Sequence, residues 1–297
     1  MPTYNQLVKS AEAKRIQITA QQRRTIYKIY RDIATEYGRE LARRGGTSVN
    51  TDFVLSYAKE LKRQSRYMFA DIQKTIQTGL LNTASAVTHA QAQYWGNIDP
   101  RIMDKVRDSM SDIPQSVVNE IVSGDLYKDG NGLSSRIWRY RRKYEKDIDY
   151  IINNGIIARK SAYDLAKDLE AYVLPGAEKP WDWSKVYPGA NAVVDYNAQR
   201  LARTACTHAY QMSFQRATMD NPFIVSYMWH SSNGGRVCPL CMARDGMIFD
   251  KDKVPLDHPN GMCIITAVIE MSYDDIADEI ADWVNGGSNP GLDKWLG

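Results

Sequence analysis

From about Asp52 to Trp95 the chain places apolar side chains at Val54, Ala58, Leu61, Met68, Ile72, Ile76 and Leu80, spacings that put them on one stripe of an α-helix. Only Gly79 interrupts the pattern. Unbroken, such a helix extends about 65 Å at 1.5 Å per residue, long for a globular enzyme. The pattern therefore predicts an elongated helical N-terminal region.

The neighbouring segments agree. Between Thr19 and Arg44, Ile26, Ile29, Ile33, Tyr37 and Leu41 recur at helical spacing, with Thr19 placed to cap the start and Gly45 and Gly46 to end it. Pro100 and Pro114 open two short helices reaching Ser111 and Ser123, and Asp125 to Leu133 reads as a loop. A further helix is predicted from Ser135 to Asn153, with Ile137, Tyr140, Tyr144, Ile148 and Ile151 as its stripe, and another from Ser161 to Val173. Pro175, Gly176, Pro180, Pro188 and Gly189, with Trp181 and Trp183 among them, cannot continue a helix. The expected organisation is thus a helical region over 1–173, a Pro/Trp linker over 174–189 and a distinct module over 190–297.

That last module opens with a helix from Ala190 to Met219 and then changes character. Phe223 to His230 and Cys263 to Ile269 are rich in β-branched and aromatic residues and read as strands, with a shorter strand at Met247 to Phe249. An acidic helix from Tyr273 to Val284, capped by Ser272, leads into a tail. The expected class is mainly α with a small α+β C-terminal module.

At 43% hydrophobic and 25% charged residues the chain is neither collagen-like nor wholly disordered, and four cysteines in 297 residues do not make a disulfide scaffold. No apolar run approaches the roughly 18 to 20 residues that cross a bilayer, and no apolar block follows the first charges as in a secretory signal. No membrane association and synthesis in a reducing cytoplasm are expected. The net charge of +3 hides a gradient: 15 basic against 8 acidic side chains in residues 1–100, but 7 against 12 in 201–297. Arg139, Arg141, Arg142, Lys143 and Lys146 form the densest basic cluster, suited either to a solvated helix face or to the phosphates of double-stranded DNA.

The residues with the most specific chemistry are Cys238, Cys241, His258 and Cys263. A two-residue gap lets the Cys238-Pro-Leu-Cys241 thiolates turn toward one ion, and His258 and Cys263 supply a second pair to close a tetrahedron. Three thiolates and an imidazole favour zinc, and four protein ligands leave no open position for catalytic water. A structural ion is expected, standing in for a core in a segment with few large apolar residues. The other readings are a Cys238 to Cys241 disulfide, which a reducing compartment disfavours, or four residues with no common role. His230 is an alternative ligand to His258. Cys206 and His208 lie two apart on a helix and do not share a face, so a buried thiol and a satisfied histidine are expected. No Gly-rich phosphate loop and no His-Glu-x-x-His motif occurs.

The run from Arg203-Thr204 through Trp229, Cys238-Pro-Leu-Cys241, Gly246, Phe249 and His258-Pro-Asn260 to Cys263 resembles the C-terminal module of the minor head, or head morphogenesis, proteins of tailed bacteriophages. It departs from the common pattern at Ala205, where members often carry an acid, and at Gly261, where they often carry a cysteine. The resemblance implies a minor capsid protein of the virion, present in few copies, located in the capsid interior or at the portal vertex. It would associate with the portal protein, and with major capsid or scaffolding protein, and act in procapsid assembly and DNA packaging or ejection without being an enzyme. Two competing functions come from the residues: a zinc-dependent nucleic-acid-processing enzyme with His258 or His230 acting on metal-bound water, and a nonspecific DNA-binding protein.

Overall fold

The computed structural model describes residues 3–44, 49–173, 195–232 and 237–297, so the 174–189 linker lies outside the described residues. The protein is mainly helical, with a small C-terminal α+β module. In chain order the elements are α1 (Tyr4–Arg44), α2 (Thr51–Gly96), a 3₁₀ turn (Pro100–Ile102), α3 (Met103–Met110), α4 (Ile113–Ser123), α5 (Leu133–Ile157), α6 (Ala162–Val173), α7 (Tyr196–Thr218), β1 (Ser226–His230), α8 (Pro239–Arg244), β2 (Ile248–Phe249), β3 (Ile264–Val268), α9 (Tyr273–Val284) and α10 (Pro290–Leu296).

The α2 stripe is buried as its spacing predicts, from Val54 through Leu80, and Gly79 does not break the helix. The start of α1 differs from expectation. The helix begins fifteen residues before Thr19, whose hydroxyl donates to the Arg15 carbonyl at 2.9 Å and caps nothing. Arg15 is the reason the earlier turns do not read as apolar: it occupies a stripe position between Ala11 and Ile18, yet is only 1% exposed. Its two terminal guanidinium nitrogens donate there to Thr207 Oγ1 at 3.0 Å and the Met262 carbonyl at 3.1 Å. The later stripe of α1 runs through Ile26, Tyr30, Ala34 and Tyr37, with Ile29 and Ile33 half-buried at its edge.

The chain forms two compact units, each discontinuous in sequence: residues 1–20, 77–126 and 203–297, and residues 21–76 and 127–202. In the second, Tyr144 of α5 meets Tyr30, Phe69 and Tyr172 at ring separations of 6.3, 5.9 and 5.4 Å, and Tyr172 donates to the buried Asp147 carboxylate at 3.0 Å. Helices α5 and α6 approach closely at Gly155, where a Cβ would lie 2.3 Å from Leu165 Cδ1.

The first unit gathers the start of α1, the end of α2 and the C-terminal module around one core. Trp95 is fully buried, stacked on Phe223 at 5.9 Å and edge-on to Trp295 at 5.6 Å, with Tyr4 and Leu7 beside it. The three strands make an antiparallel sheet in the order β2-β1-β3, pairing Tyr227 with Ala267 and Phe249, and Trp229 with Ile265. Tyr227, Trp229 and Ile265 bury into the core, which also takes in Cys241 and Cys263. The expectation that a metal replaces a missing core is therefore corrected, because the apolar residues come from helices distant in sequence. The expected tail also proves to be a helix: Asn289 caps α10 by accepting from the Gly291 and Leu292 amides, Pro290 sets its first turn, and Leu292, Trp295 and Leu296 are buried.

Among the described residues no helix is long and apolar enough to cross a membrane. Removing the ring at the centre of the first unit, Trp95→Ala, should lower stability by about 3–5 kcal/mol in urea denaturation, whereas Trp138→Ala on the exposed face of α5 should cost less than about 1 kcal/mol.

Candidate metal centre

Two short pieces of chain meet at the cysteines. Cys238 has extended backbone dihedrals and caps α8, its sulfur accepting from the Cys241 amide at 3.3 Å, while Pro239 fixes the first turn. One turn of helix thereby brings the Cys241 sulfur back toward Cys238. The second piece is the 255–263 loop between β2 and β3. It turns at His258, whose carbonyl accepts from the Gly261 amide at 2.9 Å, with Asn260 in the left-handed region at φ 70°.

Cys238 Sγ lies 3.2 Å from His258 Nε2, close to the sulfur–nitrogen edge of about 3.6 Å expected in a zinc tetrahedron. His258 Nδ1 faces the Pro259 carbonyl at 2.9 Å, which can only accept, so Nδ1 donates there and Nε2, against Cys238 Sγ, is the nitrogen placed to meet a cation. The donor atoms of Cys238, Cys241 and His258 all lie within 4.8 Å of one another, and so do those of Cys241, Asp257 and Cys263. All four expected ligands reach this place, but as two triads joined at Cys241. His230 belongs to neither and bonds Thr266 Oγ1 at 2.8 Å.

The cysteines are unbridged and electrostatically unequal. The Cys241 amide holds the Cys238 thiol below its ordinary value, whereas burial, reinforced by the Cys263 and Cys238 thiols, pushes Cys241 well above it. A bound cation ionises such thiols together, since coordination favours each thiolate. The donor set, partly to fully buried thiols with an imidazole beside them, fits a structural metal.

One face of α7 fixes the loop that carries His258. Arg203 Nη1 donates to Asn260 Oδ1 at 2.6 Å, and Thr204 Oγ1 accepts from the Asn260 amide at 2.8 Å. Thr207 donates to the Gly261 carbonyl at 2.9 Å, and His208 Nε2 to the Asp257 carbonyl at 2.9 Å. Gln211 donates to the Pro255 carbonyl at 2.7 Å and accepts from the Asp257 amide at 3.0 Å. Positions 203, 204, 207, 208 and 211 share a helix face, and Thr207, His208 and Gln211 are almost fully buried. His208 is a satisfied histidine, as expected, with a specific task that its sequence position did not announce.

Comparison with protein-family models, with curated proteins and with solved structures finds no match. The chemistry of the centre rests on its own residues.

The basic cluster lies in the other unit. Arg139, Arg142 and Lys146 are exposed along one stripe of α5, with the Arg142 guanidinium 4.8 Å from the centre of the exposed Trp138 ring. Arg141 and Lys143 are half-buried, Arg141 pairing with Glu145 at 3.4 Å and Lys143 held below its ordinary value by burial.

Two residues went unnoticed in the sequence. Asp257 precedes His258 and reads as one more surface acid, and Gln211 has no motif. The signal available was the recurrence of Thr204, Thr207, His208 and Gln211 at helical spacing beside the apolar stripe. Gln211→Leu strands the Asp257 amide and the Pro255 carbonyl in a buried place. It should destabilise the protein by about 2–4 kcal/mol, read by urea denaturation with the metal content measured in parallel.

Proposed function

We propose that this chain is a non-enzymatic, zinc-stapled minor head protein of a tailed bacteriophage, acting with the portal in procapsid assembly and in DNA packaging or ejection. The observation that supports it is a convergence. Arg203-Thr204 and His258-Pro-Asn260, which carry the resemblance from opposite ends of the motif, bond to each other through Asn260, and the Cys-Pro-x-Cys turn meets the same loop at His258. Sequence elements some fifty residues apart thus serve one structure, as parts of an inherited module do.

In this reading zinc is held by Cys238, Cys241, His258 and Cys263 and has no open position, so its work is to lock the two loops onto α7. Purified protein should carry one zinc per chain, with Cys238 and Cys241 shielded from alkylation until a chelator is added. Because Cys263 belongs to a large shared core, Cys263→Ala should release zinc while the helical content stays near wild type. A zinc hydrolase of nucleic acids would instead keep its metal in that variant and lose chemistry. Mass-spectrometric inventory of the purified particle should find the chain in few copies, and it should copurify with the portal protein from procapsids; absence from both would sink the assignment.

The stripe on α5 favours a second, compatible role in contacting DNA. Three exposed cations beside an exposed indole suit phosphates without reading bases. Binding to arbitrary duplex DNA should fall with salt at a log–log slope near about −3, at about −0.9 per phosphate, and should vanish in an Arg139, Arg142, Lys146 triple alanine variant. Binding that ignores salt would remove this role.

A further inference from the structure

Asp257 is a buried carboxylate that the ligand set above leaves without a task. It is 3% exposed, and its backbone is held on both sides by α7, the amide by Gln211 and the carbonyl by His208. Its side chain turns back into the loop. Oδ1 accepts from the His258 amide at 2.8 Å, and Oδ2 accepts from the Cys263 amide at 3.1 Å. The carboxylate therefore joins the first and last residues of the turn that carries two of the four ligands. Cys241 Sγ lies 3.9 Å from Oδ1, so the same group also faces the knuckle.

The space it uses is supplied by Gly261. A Cβ at that position would lie 2.1 Å from Asp257 Oδ2 and 2.4 Å from its Cγ, closer than any real contact. The backbone of Gly261 is not in the left-handed region, so what excludes a side chain is room and not conformation. Arg15, buried in α1, donates to the Met262 carbonyl of the same turn and brings a positive charge near the carboxylate.

We infer that Asp257 is the positioning residue of the metal centre, seated in the space left by Gly261, where its carboxylate sets the spacing of His258 and Cys263 and is not itself a ligand. This rests on the metal reading of the preceding section. Charge favours it as well: three thiolates already outweigh a divalent ion, and a fourth anion bound directly would add uncompensated negative charge in a buried place. Two amide hydrogen bonds use the carboxylate without placing it on the ion.

The test uses the full chain loaded with zinc, and with cobalt(II) as a spectroscopic substitute. Asp257→Asn should keep one metal per chain and the wild-type cobalt spectrum, including the intensity of its thiolate charge-transfer bands, while affinity in a chelator competition falls about 10–100-fold. Gly261→Ala should lose affinity to a similar degree. Combining Gly261→Ala with Asp257→Ala should cost no more than the worse single change, because removing the carboxylate frees the space the new methyl needs. A changed cobalt spectrum in Asp257→Asn would make Asp257 a ligand and overturn the inference, as would wild-type affinity in Gly261→Ala or full additivity in the pair. If Asp257→Ala does not fold, Asp257→Asn and Gly261→Ala decide the matter alone. A wild-type protein that binds no metal overturns the metal reading and this inference together, whereas tight wild-type binding unaffected by Asp257→Asn overturns this inference only.

Discussion

The hydrogen bonds from one face of α7 to the 255–261 loop are the constraint on which the C-terminal module depends. A loop of this kind, with two prolines and a left-handed asparagine, has no ladder of its own to satisfy its backbone. Thr204, Thr207, His208 and Gln211 satisfy it from the helix at four loop residues, Pro255, Asp257, Asn260 and Gly261, and Arg203 holds the Asn260 side chain, so together they fix where His258 points. Each bond contributes about 1 kcal/mol net, but a buried partner left unmade costs more, so the set acts together. Local chain stiffness at Cys238-Pro239 then brings the other arm to meet the imidazole.

What could be read from the sequence was the part carried by local periodicity and short spacing. The α2 stripe, the Ser272 cap of α9, the strands around Trp229 and Ile265, and the Cys-Pro-Leu-Cys turn each declare themselves within a few residues. What could not be read was carried by pairings between distant residues. Arg15 breaks the apolar pattern of α1 because its partners, Thr207 and the Met262 carbonyl, lie some two hundred residues on. Asp257 and Gly261 look ordinary until the carboxylate is seen in the glycine's space. Helix α10 reads as a tail for another reason: its Asn289-Pro290 start is a clear signal, but three apolar residues over fewer than two turns, Leu292, Trp295 and Leu296, are too few to mark a helix by periodicity alone.

The charge gradient also acquires a location. Its acidic end includes α9, where Asp274 and Asp275 lie at the positive end of the helix, whereas the exposed cations of α5, with an indole beside them, fall outside the basic first hundred residues.

The core around Trp95 draws on three stretches of chain, and Trp95 packs against Trp295, two hundred residues later. Such a unit has a high contact order, so loop closure must be completed before its burial is gained, and folding is slow relative to a local bundle. During synthesis at roughly 5–20 residues per second, the apolar faces around Tyr4 and Trp95 wait tens of seconds for α10 to emerge. For that interval the nascent chain presents a sticky helical surface.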